Sequence, residues 1–309
     1  MEATSFTLRA ADGVEIFVRR WAPEAAPKAV VQIAHGLAEH GGRYARLAGG
    51  LTGAGYIVYA SDHRGHGRTA ARADDLGFFA ARDGWATVLG DLWQVTQRIA
   101  GDHPERPMVL IGHSMGSFMA QQIISEHGDA FAGVVLSGTG GKPSALAAAG
   151  RLIARLERLR LGARGRSQLL QAFSFGAFNK PFAPARTPFD WLSRDAAEVD
   201  KYIADPLCGF PASVQLWIDL LDALGEVTSP RRQARIPKRL PIYVIAGSND
   251  PVGENTKSVR QLLEAYRAAG LERVTHRFYD GARHEVFNET NRDNVTRDLV
   301  QWLDGAVAR

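Results

Sequence analysis

Along the first half of the chain, short apolar runs alternate with stretches whose apolar positions recur every three or four residues. The first pattern is that of strands and the second that of helices. Residues 6–8 and 14–19 flank the turn Ala11-Asp12-Gly13 and predict an N-terminal hairpin. Strand 29–34, helix 44–51, strand 56–60, helix 85–100, strand 108–111, helix 117–127 and strand 132–136 are expected next. The run from Met108 to Ile111 is apolar at every position, as in a strand covered on both faces. This alternation predicts an α/β fold: a mostly parallel central sheet flanked by helices.

The rhythm stops near Gly138. From there to Arg239 no strand alternates with a helix, and Pro181, Pro184, Pro188, Pro206 and Pro211 punctuate the stretch. It resumes with strand 242–246, helix 255–269, strand 274–279 and helix 291–307. One core in two parts, residues 1–137 and 240–309, is therefore expected, with a mainly helical cap inserted at 138–239. Within the insertion, Leu152, Ile153, Leu156 and Leu159 fall on one helical stripe, and Arg151, Arg155 and Arg158 lie opposite. Two readings are open: the stripe packs on the core, or a basic amphipathic helix rests on a lipid surface. Phe173, Phe175, Phe178, Phe182, Phe189 and Trp191 suit either an acyl-chain pocket or the insertion's own core.

Chemistry enters at Gly112-His113-Ser114-Met115-Gly116, the pattern G-x-S-x-G. It has mechanical meaning only between a strand and a helix, where a sharp turn lifts the hydroxyl out of the sheet, and both neighbours are predicted. Gly112 and Gly116 then fit a place where strand and helix pass too close for side chains. A serine nucleophile needs a base, and the base needs an acid to fix its tautomer. Asp250 falls in the loop after strand 242–246, and His284 in the loop after strand 274–279, in the order Ser, Asp, His. Asp280 is a rival acid but shares the histidine's own loop, so Asp250 is preferred. His103, His127 and His276 are expected to be structural or exposed, and His113 to point away from the site. For the oxyanion, the Met115 amide opens the following helix, and the loop His35-Gly36-Leu37 would turn the Leu37 amide toward the same place.

The segments HGLAEHGGRY, SDHRGHGRT, GHSMG, SNDPV and RHEVFNE, in this order, resemble the monoacylglycerol lipase and lysophospholipase branch of the α/β-hydrolases. The resemblance covers about 1–137 and 240–309. It implies Ser114, Asp250 and His284 as a catalytic triad and Leu37 and Met115 as oxyanion donors. It also implies a cap whose variability transfers little about substrate, and hydrolysis of a lipid monoester, with a carboxylesterase for small soluble or aromatic esters as the alternative.

Composition narrows the rest. With 309 residues, 45% hydrophobic and 23% charged, the chain can bury a sizeable core. The net charge is +4, but 37 basic residues are interspersed with 33 acidic ones, so no nucleic-acid partner is expected. A single cysteine, Cys208, excludes an internal disulfide and is expected to be a small buried apolar residue. No signal peptide or membrane-spanning segment is read, which predicts a cytoplasmic protein with peripheral membrane contact at most. The partner expected is a small ester or lipid. Gly65, Gly67 and Ala70 mimic a dinucleotide fingerprint but lead into Arg68-Thr69-Ala70-Ala71-Arg72 rather than an apolar helix, so no cofactor is expected. His35, His40, His63 and His66 fit no metal-binding spacing, and no metal is expected.

Overall fold

The computed structural model describes residues 3–143 and 145–308, without side chains for 144–148. Eight strands form one sheet: β1 (Thr4–Arg9), β2 (Glu15–Trp21), β3 (Ala29–Ala34), β4 (Tyr56–Ser61), β5 (Met108–His113), β6 (Gly133–Ser137), β7 (Ile242–Gly247) and β8 (Val274–Tyr279). Their spatial order is β1-β2-β4-β3-β5-β6-β7-β8. The hairpin β1–β2 and the β2–β4 pair are antiparallel, and all other pairs are parallel.

Every residue of β3, β4 and β5 is buried because helices cover both faces. Helices α1 (Ala45–Gly53) and α8 (Arg292–Val307) close one side, while α2 (Gly84–Asp102) and α3 (Met115–His127) follow their strands on the other. Helix α7 (Lys257–Ala268) connects β7 to β8. Parallel strands all end at one edge, so the loops after β3, β5, β7 and β8 gather there.

Between β6 and β7 the described residues hold helices and turns: α4 (Ala145–Leu161), short turns over 168–182, α5 (Ala196–Ala204) and α6 (Val214–Val227). Helix α4 packs along α6, with Ile153 and Leu161 partly buried against the core. Leu152, Leu156 and Leu159 are 62%, 58% and 86% exposed, whereas Ala154 is fully buried. Arg151 and Arg155 reach across to Asp222 of α6. Of the predicted stripe Ile153 packs on the core, and the reading in which the leucines do so as well is corrected. Asp222 of α6 holds Arg151 and Arg155, and Leu152, Leu156 and Leu159 are left outward. No helix of the described residues is long and apolar enough to cross a membrane.

Candidate active site

Ser114 sits between β5 and α3 with φ 50° and ψ −120°, a conformation that a residue with a side chain reaches only under strain. The turn closes because its neighbours lack side chains. A Cβ on Gly116 would overlap the carbonyl oxygens of Ala34 and His35, and one on Gly112 would meet the Gly116 carbonyl. The Ser114 N–H donates to the Ser137 carbonyl at 2.9 Å, fixing the turn to the end of β6.

The next residue, Gly138, has φ +56°, and a Cβ there would lie 2.8 Å from His284 Cε1. The β6 terminus thus touches the serine turn on one side and the imidazole on the other. His284 is 2% exposed, and its Nδ1 lies 3.0 Å from each oxygen of the fully buried Asp250. That pairing assigns the proton to Nδ1 and leaves Nε2 a lone pair. Asp250 also accepts the Val252 N–H at 2.9 Å. Asp280, the rival acid, is exposed and meets only the Ser248 hydroxyl, at 3.4 Å.

Burial pulls the His284 pKa down, but the Asp250 charge and hydrogen bond, with Glu285 and Glu39 beyond, outweigh it. The net shift is upward from the ordinary imidazole value. His113 does not turn away from the site, as the residue next to a solvent-facing serine was expected to do. Its ring lies 4.8 Å from that of His284, in the space Gly138 leaves, and its Nδ1 meets the Ser137 hydroxyl at 3.2 Å. Burial and the neighbouring imidazole lower its pKa to about 3, so it stays neutral.

The loop after β3 approaches from the other side. A Cβ on Gly36 would lie 3.2 Å from Ser114 Cβ. His35 is fully buried; its Nδ1–H donates to Gly36 O at 2.8 Å, and its Nε2 accepts the His63 amide at 2.9 Å. The Gly36 N–H is taken by Glu39 Oε1 at 2.6 Å. Among the described residues, the Leu37 and Met115 amides donate no hydrogen bond.

Sequence reasoning left Glu39, Arg43 and Glu285 without roles. Glu39 accepts from Gly36, from the Tyr44 hydroxyl at 2.9 Å and from Arg43 at 2.8 Å. Arg43 in turn grips Glu285 with both terminal nitrogens, at 2.5 and 2.7 Å. Burial disfavours the charged Glu285, but Arg43 holds its pKa low. One guanidinium therefore ties the loop after β3 to the loop carrying His284. The signal was present in the sequence, since all three lie in the quoted segments beside residues that were assigned.

The inserted segment adds further ties. The Trp191 and Leu192 carbonyls accept from the amides of His284 and Glu285 at 3.3 and 2.8 Å. Buried Glu289 accepts from the amides of both Arg194 and Arg283. The Ala38 carbonyl accepts from the Gly209 amide and the Tyr202 hydroxyl, each at 2.9 Å.

His40, Asp205 and Cys208 bring three donor atoms within 4.8 Å of one another. His40 Nδ1 accepts the Gly42 N–H at 3.1 Å, so its proton is on Nε2, bridging to Asp205 at 2.9 Å. A ligating histidine needs the reverse arrangement, with the free nitrogen donating. Burial also raises the Cys208 pKa, favouring the neutral thiol. The donors fit a proton-bridged clasp rather than an ion.

A serine on a strained strand-to-helix turn of a mostly parallel sheet, beside a buried imidazole–carboxylate pair, defines an α/β-hydrolase of the serine hydrolase class. The family model for serine aminopeptidase, S33, matches residues 25–291, and the chain belongs to that family. It is 30% identical over 301 residues to the monoglyceride lipase of Mus musculus, covering 96% of this chain and 89% of the relative. It is 30% identical over 303 residues to the monoacylglycerol lipase of Mycolicibacterium smegmatis, covering 94% and 93%. Among solved structures, a thermostable carboxyl esterase from Bacillus coagulans in complex with glycerol superposes with a TM-score of 0.91 at 25% identity, over 99% of both chains. The protein is a serine ester hydrolase.

Proposed function

We propose that the chain hydrolyses monoacylglycerol-like lipid monoesters through an acyl-enzyme on Ser114. His284 Nε2 takes the hydroxyl proton as Ser114 Oγ attacks the ester carbonyl, and Asp250 stabilises the imidazolium through Nδ1–H. The Leu37 and Met115 amides receive the oxyanion, helped by the α3 dipole. The C–O bond to the alcohol breaks, and the alcohol leaves with the proton from His284. Water, deprotonated by the same imidazole, then frees the acid. The observation that carries this reading is the buried Asp250–His284 pair beside the strained Ser114 turn.

Residues 138–239 act in this reading as a cap. A groove of about 560 Å³ on it, lined by Phe175, Pro188, Phe189 and Pro211 together with Arg166, Ser167, Gln168 and Gln171, has the size for an acyl chain. Phe175 stacks on Trp191 at 5.6 Å, and Trp191 lies 5.1 Å from His284. The outward leucines of α4 support peripheral contact with a lipid surface. The lipase relatives support the glyceride substrate, and the esterase likeness supports the second reading, a carboxylesterase for small esters. An acyl-length series of monoacylglycerols separates the two. A rise in kcat/KM from butanoyl to dodecanoyl or longer supports the first; a maximum at the shortest chains overturns it.

A further inference from the structure

Arg166 lines the cap groove, and it is held there by oxygens that carry no charge. Its Nη1 donates to the Pro211 carbonyl, and its Nη2 to the carbonyls of Leu76 and Asp74 at 2.7 and 3.5 Å. Three of the five guanidinium N–H groups are thereby used, and Nε–H and one Nη1–H are left without an acceptor among the described residues. The cradle is firm. Gly77, at φ +71°, brings its Cα so near that a Cβ would lie 3.2 Å from Arg166 Nη1. The Gly77 N–H donates to the Gly65 carbonyl at 2.7 Å, and the Gly77 carbonyl accepts the Ser213 N–H at 2.8 Å.

Neighbouring arginines are served differently. Arg160 pairs with Glu157 at 2.7 Å and Arg164 with Asp75 at 3.1 Å, whereas Arg166 forms no salt bridge among the described residues. Glu157, behind Ser167, is taken up by Arg160 and the Ser167 hydroxyl. Asp74 meets Arg166 through its carbonyl, and its charge acts only at longer range. Burial lowers the Arg166 pKa from the ordinary guanidinium value, as expected for a cation short of counter-charge. Holding a partly desolvated cation in place without a carboxylate is costly, and an anion entering the groove would offset that cost. The same groove offers Phe175, Pro188 and Phe189 to an apolar chain.

We infer that the groove binds the anion of a fatty acid, with the carboxylate paired to the Arg166 guanidinium and the chain against Phe175, Pro188 and Phe189. Ester hydrolysis on this chain releases a carboxylic acid, so the groove is a site for that product, apart from the oxyanion site at Ser114. The placement of the chain rests on the reading of the groove as an acyl site.

Calorimetric titration of the enzyme with decanoate, decanol and butanoate, below micelle-forming concentrations and with no ester present, tests the assignment. Decanoate should bind about tenfold or more tighter than decanol, the size of one charge-assisted hydrogen bond. Butanoate, which lacks the chain, should bind far more weakly than decanoate. In Arg166→Gln the preference for the acid over the alcohol should disappear. Equal binding of decanoate and decanol to the wild-type protein, or an unchanged preference in Arg166→Gln, overturns the inference. Butanoate binding as tightly as decanoate overturns it too, since the groove would then take an anion without a chain. Protein whose Ser114 carries a small diethyl phosphoryl group should still bind decanoate; loss of binding would put the acid at the catalytic serine and overturn the assignment. If Arg166→Gln fails to fold, the wild-type series and the phosphorylated protein decide. Failure of the catalytic reading shows differently, as ester turnover by Ser114→Ala, because the titration involves no turnover.

Discussion

The inserted segment contains two regions that treat the core in opposite ways. Residues 190–209 are stitched into it: Trp191 and Leu192 hold the amides of His284 and Glu285, Arg194 pairs with Glu289, and Tyr202 and Gly209 hold Ala38. Helix α4 seats Ala154 and Ile153 on the core, pairs Arg151 and Arg155 with Asp222, and turns Leu152, Leu156 and Leu159 to the outside. The difference separates two jobs that one insertion can perform. The stitched part fixes groups that must be placed to a fraction of an ångström, and the outward part offers surface that only gains by meeting something apolar.

This contrast can be broken from either side. The largest effect is expected at the pair that the stitched region holds. Asp250→Asn should cost about four orders of magnitude in kcat, because the imidazole loses the partner that fixes its tautomer. The same variant should move the acid limb of the pH profile. His284 must be neutral to act as base, so activity falls as the pH drops through its pKa, which lies above the ordinary value in the native protein. With the carboxylate gone, burial is opposed less, and the limb should shift to lower pH in a log(kcat/KM) plot. Removing the tie between the two loops comes next. Arg43→Met leaves Glu39 and Glu285 buried without their cation and should destabilise the fold by roughly 3–5 kcal/mol in denaturant titration. A loss below about 1 kcal/mol would show that the clamp is not structural.

The smallest effect on chemistry, and the sharpest contrast, is expected on the outward side. Replacing Leu152, Leu156 and Leu159 by serine should leave turnover of a soluble butanoyl ester within about twofold, since none of them is buried on folding. Sedimentation with phosphatidylglycerol vesicles should fall tenfold or more, as three leucines no longer enter the lipid. Unchanged vesicle binding would remove the lipid-surface role from α4.

How much of this was legible in the sequence follows from what each feature depends on. The inner strands were readable because burial on both faces demands unbroken apolar runs, and β3 matches its expected limits, as does the largely exposed edge strand β8. The turn at Ser114 was readable because close strand-to-helix passage excludes side chains at Gly112 and Gly116. The positions of Asp250 and His284 followed from the order of strands. The Glu39–Arg43–Glu285 clamp was not assigned because Arg43 and Glu285 are 242 residues apart, and charge alone does not say which partner it meets. The α4 stripe was seen, but not its direction. Periodicity shows that a helix has two faces, and only the Asp222 on a neighbouring helix decides which one turns inward. His113 escaped for a related reason, since its room comes from Gly138, just past the end of another strand.

The most direct measurement is covalent labelling of the whole protein by a long-chain alkyl fluorophosphonate, followed by peptide mass spectrometry. The account predicts one adduct, on Ser114, formed in the native enzyme, slowed by orders of magnitude in Asp250→Asn and abolished in Ser114→Ala together with ester turnover. An adduct on a different residue, or undiminished ester hydrolysis by Ser114→Ala, would contradict it.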